Sequence, residues 1–465
     1  MGLSAFAYLE QEKFVMARSS VGKLILRRLV VSSLALVLGL ASHSSLQAQI
    51  VQRQVAGVWI DADGILRNQD RDETQKLKRD REDAAQRVPG DFNQKSDLRK
   101  VSLRRLEEAI AGAKINGSQL PDEIKYLAGM QRVRYVFVYP DQQDIVIAGP
   151  GEGWKINDQG EVVGKTSGKP VLMLDDLLVA LRAVNRAQQE SISCSIDPTA
   201  EGLSRLQAIA KALRQGPGVL KTIEETLGMQ TISVTGIPAD SHFARVIVAA
   251  DYKMKRLAMN LDKSPVNGMP SYMDMISAGP KGMNNMLPRW WLAPNYDALL
   301  TDGEGTAWEF RAAGVKCVAE EDFMTATGER QRQTKQSGPI KKWADTMTAK
   351  YEELSAKDVV FGQLRNCIDL AVVSALITKE RLDERAGHSF NLLTDATQLP
   401  TEQFHAPTQV PSIASVVTKP RSWVISASGG VQIESWSLAD KAEANDTVAP
   451  ARKQAESTSK TWWWN

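Results

Sequence analysis

Apolar side chains crowd two runs, YVFVY (residues 135–139) and DIVIAG (144–149), separated by the polar PDQQ. Both are rich in β-branched and aromatic residues, so the pattern predicts two strands joined by a reversal. GWKINDQGEVV adds a shorter hairpin. Helical spacing precedes and follows this block. Leu98, Val101, Leu103, Leu106 and Ile110 predict one helix with Ser96 or Asp97 as its cap, and PDEIKYLAGM predicts a short second one. Leu174, Leu177, Leu178 and Leu181 share a stripe in PVLMLDDLLVALRAVNR, where Asp175 and Asp176 read as capping acids.

From Ser191 the alternation repeats. ISCSIDPTAEGLSRLQAIAKAL reads as strand, turn and helix, with Thr199 as cap and Glu201 in the first turn. GMQTISVTGIPADSHFARVIVAADYKMKRLAMNL supplies a strand, a turn and a run compatible with either period. PRWWLAPNYDALLTDGEGTAWEF predicts short strands around the DGEG turn. The most helical stretch follows, with Trp343, Met347, Tyr351, Leu354, Val359, Leu364, Ile368 and Leu376 available for buried stripes. After Gly387 the chain turns strand-rich, and from Lys441 its Ala, Ser, Thr, Lys and Glu predict a tail that does not pack.

This pattern predicts an α+β or mixed α/β protein with several small sheets, tryptophan-bearing hairpins and packed amphipathic helices. The divisions it suggests are an export signal (1–48), a hairpin and charged connector (49–95), two α/β units (96–190 and 191–330), a helical segment (331–386), a strand-rich segment (387–440) and a flexible tail (441–465).

The leader rests on a basic run (Lys23, Arg27, Arg28), the apolar LVVSSLALVLGLA and a small residue, Ala48, suited to cleavage. Met16 is an alternative start, and an uncleaved anchor is the competing reading. No later run is expected to span a bilayer. Localisation is therefore expected to be periplasmic, envelope or extracellular, with membrane contact only through a retained leader. Without the leader's five basic and two acidic residues, the formal charge falls from +2 to −1. That removes the electrostatic case for nucleic acid. The charged segment Arg67 to Asn93 interleaves both signs and adds no net field. The three cysteines, Cys194, Cys317 and Cys367, are too few and too scattered for a disulfide framework.

The chemistry-bearing candidates are few. GVWIDADGIL resembles the two-carboxylate loop of haloacid-dehalogenase-like phosphatases, with Asp61 as nucleophile and Asp63 as proton carrier. Two further segments argue for a turn instead. GWKINDQGEVV and SWVISASGGVQI repeat the tryptophan, polar reversal and glycine, while Asp61 becomes Asn157 and then Ser426. AGPGEGWK (148–155) lacks the Gly-Lys followed by a hydroxyl residue that would cradle phosphate, and reads as a strand turn.

His242, His388 and His405 have no local metal-ligand spacing, so neither metal nor cofactor is expected. Cys194 and His242 are the candidate nucleophile and base, with Asp240 or Asp197 orienting the ring. Competing readings are a small core residue for Cys194 and a surface loop or strand-edge residue for His242. Trp290 and Trp291 are candidates for an aromatic interaction face, and Trp462, Trp463 and Trp464 for a terminal docking tag.

Taken together, GVWIDADGIL, YVFVYPDQQDIVIAGPGEGW, SCSIDPTAEGLSRLQ, VTGIPADSHFARVIVAADYKMKRLAM and VVFGQLRNCIDLAVVSALI resemble an exported planctomycete-type family catalogued as a domain of unknown function (DUF1598-like). The resemblance runs from Val55 to Ile433. It implies an exported whole-chain module and carries no activity. The resulting expectation is an exported interaction or structural protein, with another envelope protein or a polysaccharide as partner. The alternatives are an envelope hydrolase with a site assembled from distant residues and a polysaccharide-binding module.

Overall fold

Two hairpins carry the same local device. Val58–Ile60 pairs antiparallel with Leu66–Asn68, and Trp154–Ile156 with Val162–Gly164. In the first, Asp61 Oδ1 accepts from the backbone N–H of Asp63 (3.1 Å) and Ile65 (2.9 Å). In the second, Asn157 Oδ1 accepts from Gln159 and Glu161, both at 2.9 Å. Gly64 (φ 77°) and Gly160 (φ 81°) supply the left-handed residue each reversal needs. Asp302 repeats the device between Leu299–Thr301 and Ala307–Glu309, accepting from Thr306 and Ala307.

The third segment breaks the series. Arg421–Ile425 pairs with Ser415–Lys419, whereas Ser428–Ile433 leaves for a different sheet, so SWVISASGGVQI is not a hairpin. The Ser426 hydroxyl is a shorter acceptor than a carboxylate or amide and captures no turn N–H among the described residues.

The structure, a computed structural model, describes Val55 and residues 57–68, 90–210, 212–213, 218–277, 286–311, 314–324, 330–332, 338–419 and 421–456. The expected export leader (1–48), residues 69–89 of the charged segment and Trp462, Trp463 and Trp464 lie outside the described residues. All described residues belong to one unit, Ile50–Asn465.

Two large sheets organise that unit into a mixed α/β architecture. The first runs, in spatial order, Ala442–Ala444, Leu299–Thr301, Ala307–Glu309, Tyr135–Tyr139, Asp144–Gly151 and Ser96–Ser102. Its central strands are apolar on both faces because both are covered. Val136, Val138, Ile145 and Ile147 face the main core, while Phe137, Tyr139, Val146 and Ala148 form a second cluster with Val448 and Ala455. From Lys441 to Glu456 the chain therefore packs after all, as an edge strand and the helix Val448–Ala455, whose Arg452 Nε donates to Val138 O. Its composition concealed this because two apolar side chains suffice to close so small a face.

Leu98 and Val101 also depart from expectation. They lie in the strand Ser96–Ser102, paired with Asp144–Gly151, and the helix begins only at Leu103, capped by Ser102 Oγ. AGPGEGW continues this sheet through Gly151 rather than turning at Gly149.

The second sheet runs Arg330–Arg332, Gly314–Met324, Met286–Asn295, Ser428–Ile433, Ile192–Pro198, Met229–Thr235 and Gln409–Pro411. Ser428–Ile433 is parallel to Met286–Asn295 and antiparallel to Ile192–Pro198. Such close approach requires glycine: a Cβ on Gly430 would lie 1.8 Å from Cys194 O, and one on Gly429 2.0 Å from Trp290 O.

The helix Val359–Lys379 is buried from Val360 to Ile377. By length and composition it would suffice to cross a membrane, contrary to the expectation that no such run follows the leader. Its polar side chains are nevertheless paired inside the protein. Asp369 accepts from Val133 N (3.1 Å) and the Tyr296 hydroxyl, and Arg365 donates to Glu352 at 2.7 Å.

Candidate functional site

The helix His242–Ala258 begins after Ser241, whose Oγ accepts from Ala244 N at 3.1 Å. This places His242, the first helical residue, in the interior rather than on a surface loop. Its Nδ1 lies 2.9 Å from Asp176 Oδ1 and 3.0 Å from Oδ2, with both side chains buried. Asp240 contributes its main-chain carbonyl to Phe404 N (2.8 Å), and the carboxylate holding the imidazole is Asp176.

Asp176 was expected to cap its helix. Instead Met173 occupies the cap position of Leu174–Glu190, and Asp176 receives His242 together with the thiol of Cys367. Asp175 accepts from Glu402 N at 3.1 Å. Burial pushes its carboxyl up to about 6. A strap from Glu402 to Thr408 thus crosses the helix start, with the Phe404 ring 6.2 Å from His242 and 5.1 Å from the Arg245 guanidinium.

Cys194 belongs to a different neighbourhood. Its thiol is fully buried and held well above its usual range by burial, with Asp251 adding to the effect. Beside it, Lys255 Nζ donates to Asp251 Oδ2 (2.9 Å), Ile196 O (2.8 Å) and Gly429 O (3.1 Å). Asp251 stands nine residues beyond His242 on the same helix, a rise of about 13 Å. The fold therefore sets Cys194 by the Asp251–Lys255 pair and His242 by Asp176, at separate points along the helix. A protonated thiol in that setting is a poor nucleophile. Among the described residues no group of three or more His, Cys, Asp or Glu is placed to hold a metal.

Trp290 and Trp291 do not form one aromatic face. They are successive residues of a strand and point to opposite sides of the sheet. Trp290 is fully buried, its ring 4.8 Å from Trp343 and 5.1 Å from Tyr272. Trp291 faces outward and is half-buried. Its Nε1 donates to Glu320 at 3.3 Å, and the Arg289 guanidinium lies 5.2 Å from its ring centroid.

Strand register puts further outward residues beside Trp291. Val318 and Gly430 are its cross-strand partners, and the row continues through Ser195 to Ser233. An adjacent row carries Gln432, Ser193 and Thr235, with Ser193 Oγ and Thr235 Oγ1 2.8 Å apart. On the other side lie Glu320, Arg289, Ser428, Asp197 and Thr231. Thr231, Ser233, Thr235, Gln432 and Val318 are exposed, and Ser193, Ser195 and Asp197 are partly so. The helix His242–Ala258 and the Trp290 cluster occupy the opposite face.

These features define an α/β protein with a buried histidine–aspartate pair and a water-facing, hydroxyl-rich sheet face. A family model described as a protein of unknown function (DUF1598) matches residues 194–272. The matched stretch runs from the strand holding Cys194 through the helix that bears His242, Asp251 and Lys255. It is a fraction of the 465-residue chain, and shorter than the span from Val55 to Ile433 expected from the resemblance. No curated protein matches the chain, and no solved structure does.

The hydroxyl face was missed in the sequence although its signal was there. S-I-S-C-S-I-D and Q-T-I-S-V-T place a hydroxyl or carboxyl at every second residue, the mark of a strand with one wet face. Asp176 had no comparable signal, since its partner lies in another helix.

Proposed function

We propose that this is an exported, envelope-associated or secreted binding protein, and that the outer face of the seven-stranded sheet meets its partner. The observation that carries the reading is the register bringing Ser195, Ser233, Trp291 and Val318 into one outward-facing row, exposed at Ser233 and Val318 and partly so at Ser195 and Trp291. Rigid strands present these short side chains with little conformational entropy left to lose, which favours recognition over mobile chemistry. The basic and apolar leader with Ala48 at its end supports export.

Hydrogen exchange of the full chain with an isolated envelope fraction tests this. Protection should appear at Ile192–Pro198, Met229–Thr235 and Met286–Asn295, and should disappear in the double variant Ser195→Arg, Ser233→Arg. Protection confined to other elements, or none at any envelope concentration, overturns the proposal.

A further inference from the structure

We infer that the partner of this face is a neutral, hydroxyl-rich glycan chain. The inference rests on the binding reading above and adds the chemistry of the ligand. Three properties of the face select that class.

The first is charge. Arg289 lies 3.8 Å from Asp197, and Lys316 shares the face with Glu320, which holds Trp291 Nε1. Among the described side chains of this face the cations are matched by acids, which offers neither a polyanion nor a polycation a net attraction. A neutral ligand suits a surface whose charges already balance.

The second is hydrogen-bonding type. Ser193, Ser195, Thr231, Ser233 and Thr235 are outward hydroxyls on two adjacent strands. Each hydroxyl both donates and accepts, as sugar hydroxyls do, so the pairing adapts to either direction of the ligand's groups. An apolar helix would leave these groups dry and unpaired.

The third is the aromatic. Trp291 is fixed in orientation by Glu320 at its edge and by Arg289 over its ring. A positioned, half-exposed indole offers a flat apolar surface to the C–H face of a sugar ring, beside hydroxyls that engage its rim. Gly430, Trp291's neighbour on the next strand, adds no side chain, so the floor between Trp291 and Ser195 is low. Five strands at about 4.8 Å spacing make this row roughly 19 Å long, the reach of a short oligosaccharide rather than of one sugar.

Affinity electrophoresis and pull-down of the full chain on neutral polysaccharides (cellulose, a β-1,3-glucan, mannan and dextran) test the inference against acidic alginate. The wild type should bind at least one neutral polymer, with affinity unchanged between low and high salt. Trp291→Ala should weaken it about tenfold, a change of about 1.4 kcal/mol. Ser233→Arg, at an exposed position of the same row, should abolish it, while Ile115→Lys on the exposed end of another helix should not. Binding only to alginate, binding to none, or binding indifferent to both face variants overturns the glycan assignment. Envelope-induced protection of the same strands without glycan binding would leave the binding proposal standing and remove this one alone.

Discussion

His242 Nδ1 and Asp176 Oδ1 meet at 2.9 Å across 66 residues of sequence, tying the first residue of one helix to the third of another. The contact is buried on both sides, so neither group has water to fall back on. Removing one partner of such a pair leaves the other desolvated, a cost of about 3 kcal/mol. Asp176→Ala should lower unfolding stability in urea by about that amount. His242→Ala should cost a similar amount, and the double variant less than the sum.

Asp175 gives a pH dependence of definite sign. Its folded carboxyl titrates at about 6 against an ordinary value of 3.8, so the folded state holds the proton more tightly than the unfolded chain. Its contribution is most favourable below pH 3.8 and is lost as the pH rises to about 6. Asp175→Asn keeps an acceptor for Glu402 N and removes the charge. Denaturation at pH 7.5 should find the variant more stable by roughly 3 kcal/mol. The difference should vanish near pH 4; a gap that does not narrow on acidification would show that Asp175 is not responsible.

Gly430 is fixed by sterics. A methyl group there would sit 1.8 Å from Cys194 O, and the strand cannot move without leaving its partners on both sides. Gly430→Ala should lower the melting temperature by more than 10 °C or prevent folding. Gly303→Ala, with nothing within 4 Å of its Cβ, should shift it by no more than about 2 °C.

The carboxyl-terminal helix covers an apolar sheet face. Val448 and Ala455 are buried against Phe137, Tyr139 and Val146, and the Tyr139 hydroxyl donates to Arg452 O at 2.8 Å. Truncation after Asp440 should expose this cluster, raising binding of an apolar fluorescent dye and promoting association at micromolar concentration. Val448→Asp in the full chain should produce the same dye binding at reduced amplitude.

The twin reversals at Asp61 and Asn157 were legible because the side-chain bonds that close each turn, to the N–H two and four residues on, are made within five residues. Thr199 was legible as a cap for the same reason, its Oγ1 accepting from Gly202 N. Leu98 and Val101 misled because a spacing of three fits a helix, and only pairing with Asp144–Gly151 makes the segment a strand. Trp290 and Trp291 looked equivalent as neighbours, and a period of two separated them once one face of the sheet was covered. 

By itself the sequence determined much of the local alphabet of this protein: where strands alternate and where short polar side chains fold the chain back. Those choices are settled by contacts between near neighbours, which exist in any arrangement of the whole. Tertiary structure decided which side of each strand stays wet, which acid holds His242 and what closes the sheet beneath Val448. Desolvation sets those outcomes, and whether a group is desolvated depends on segments far away in the chain.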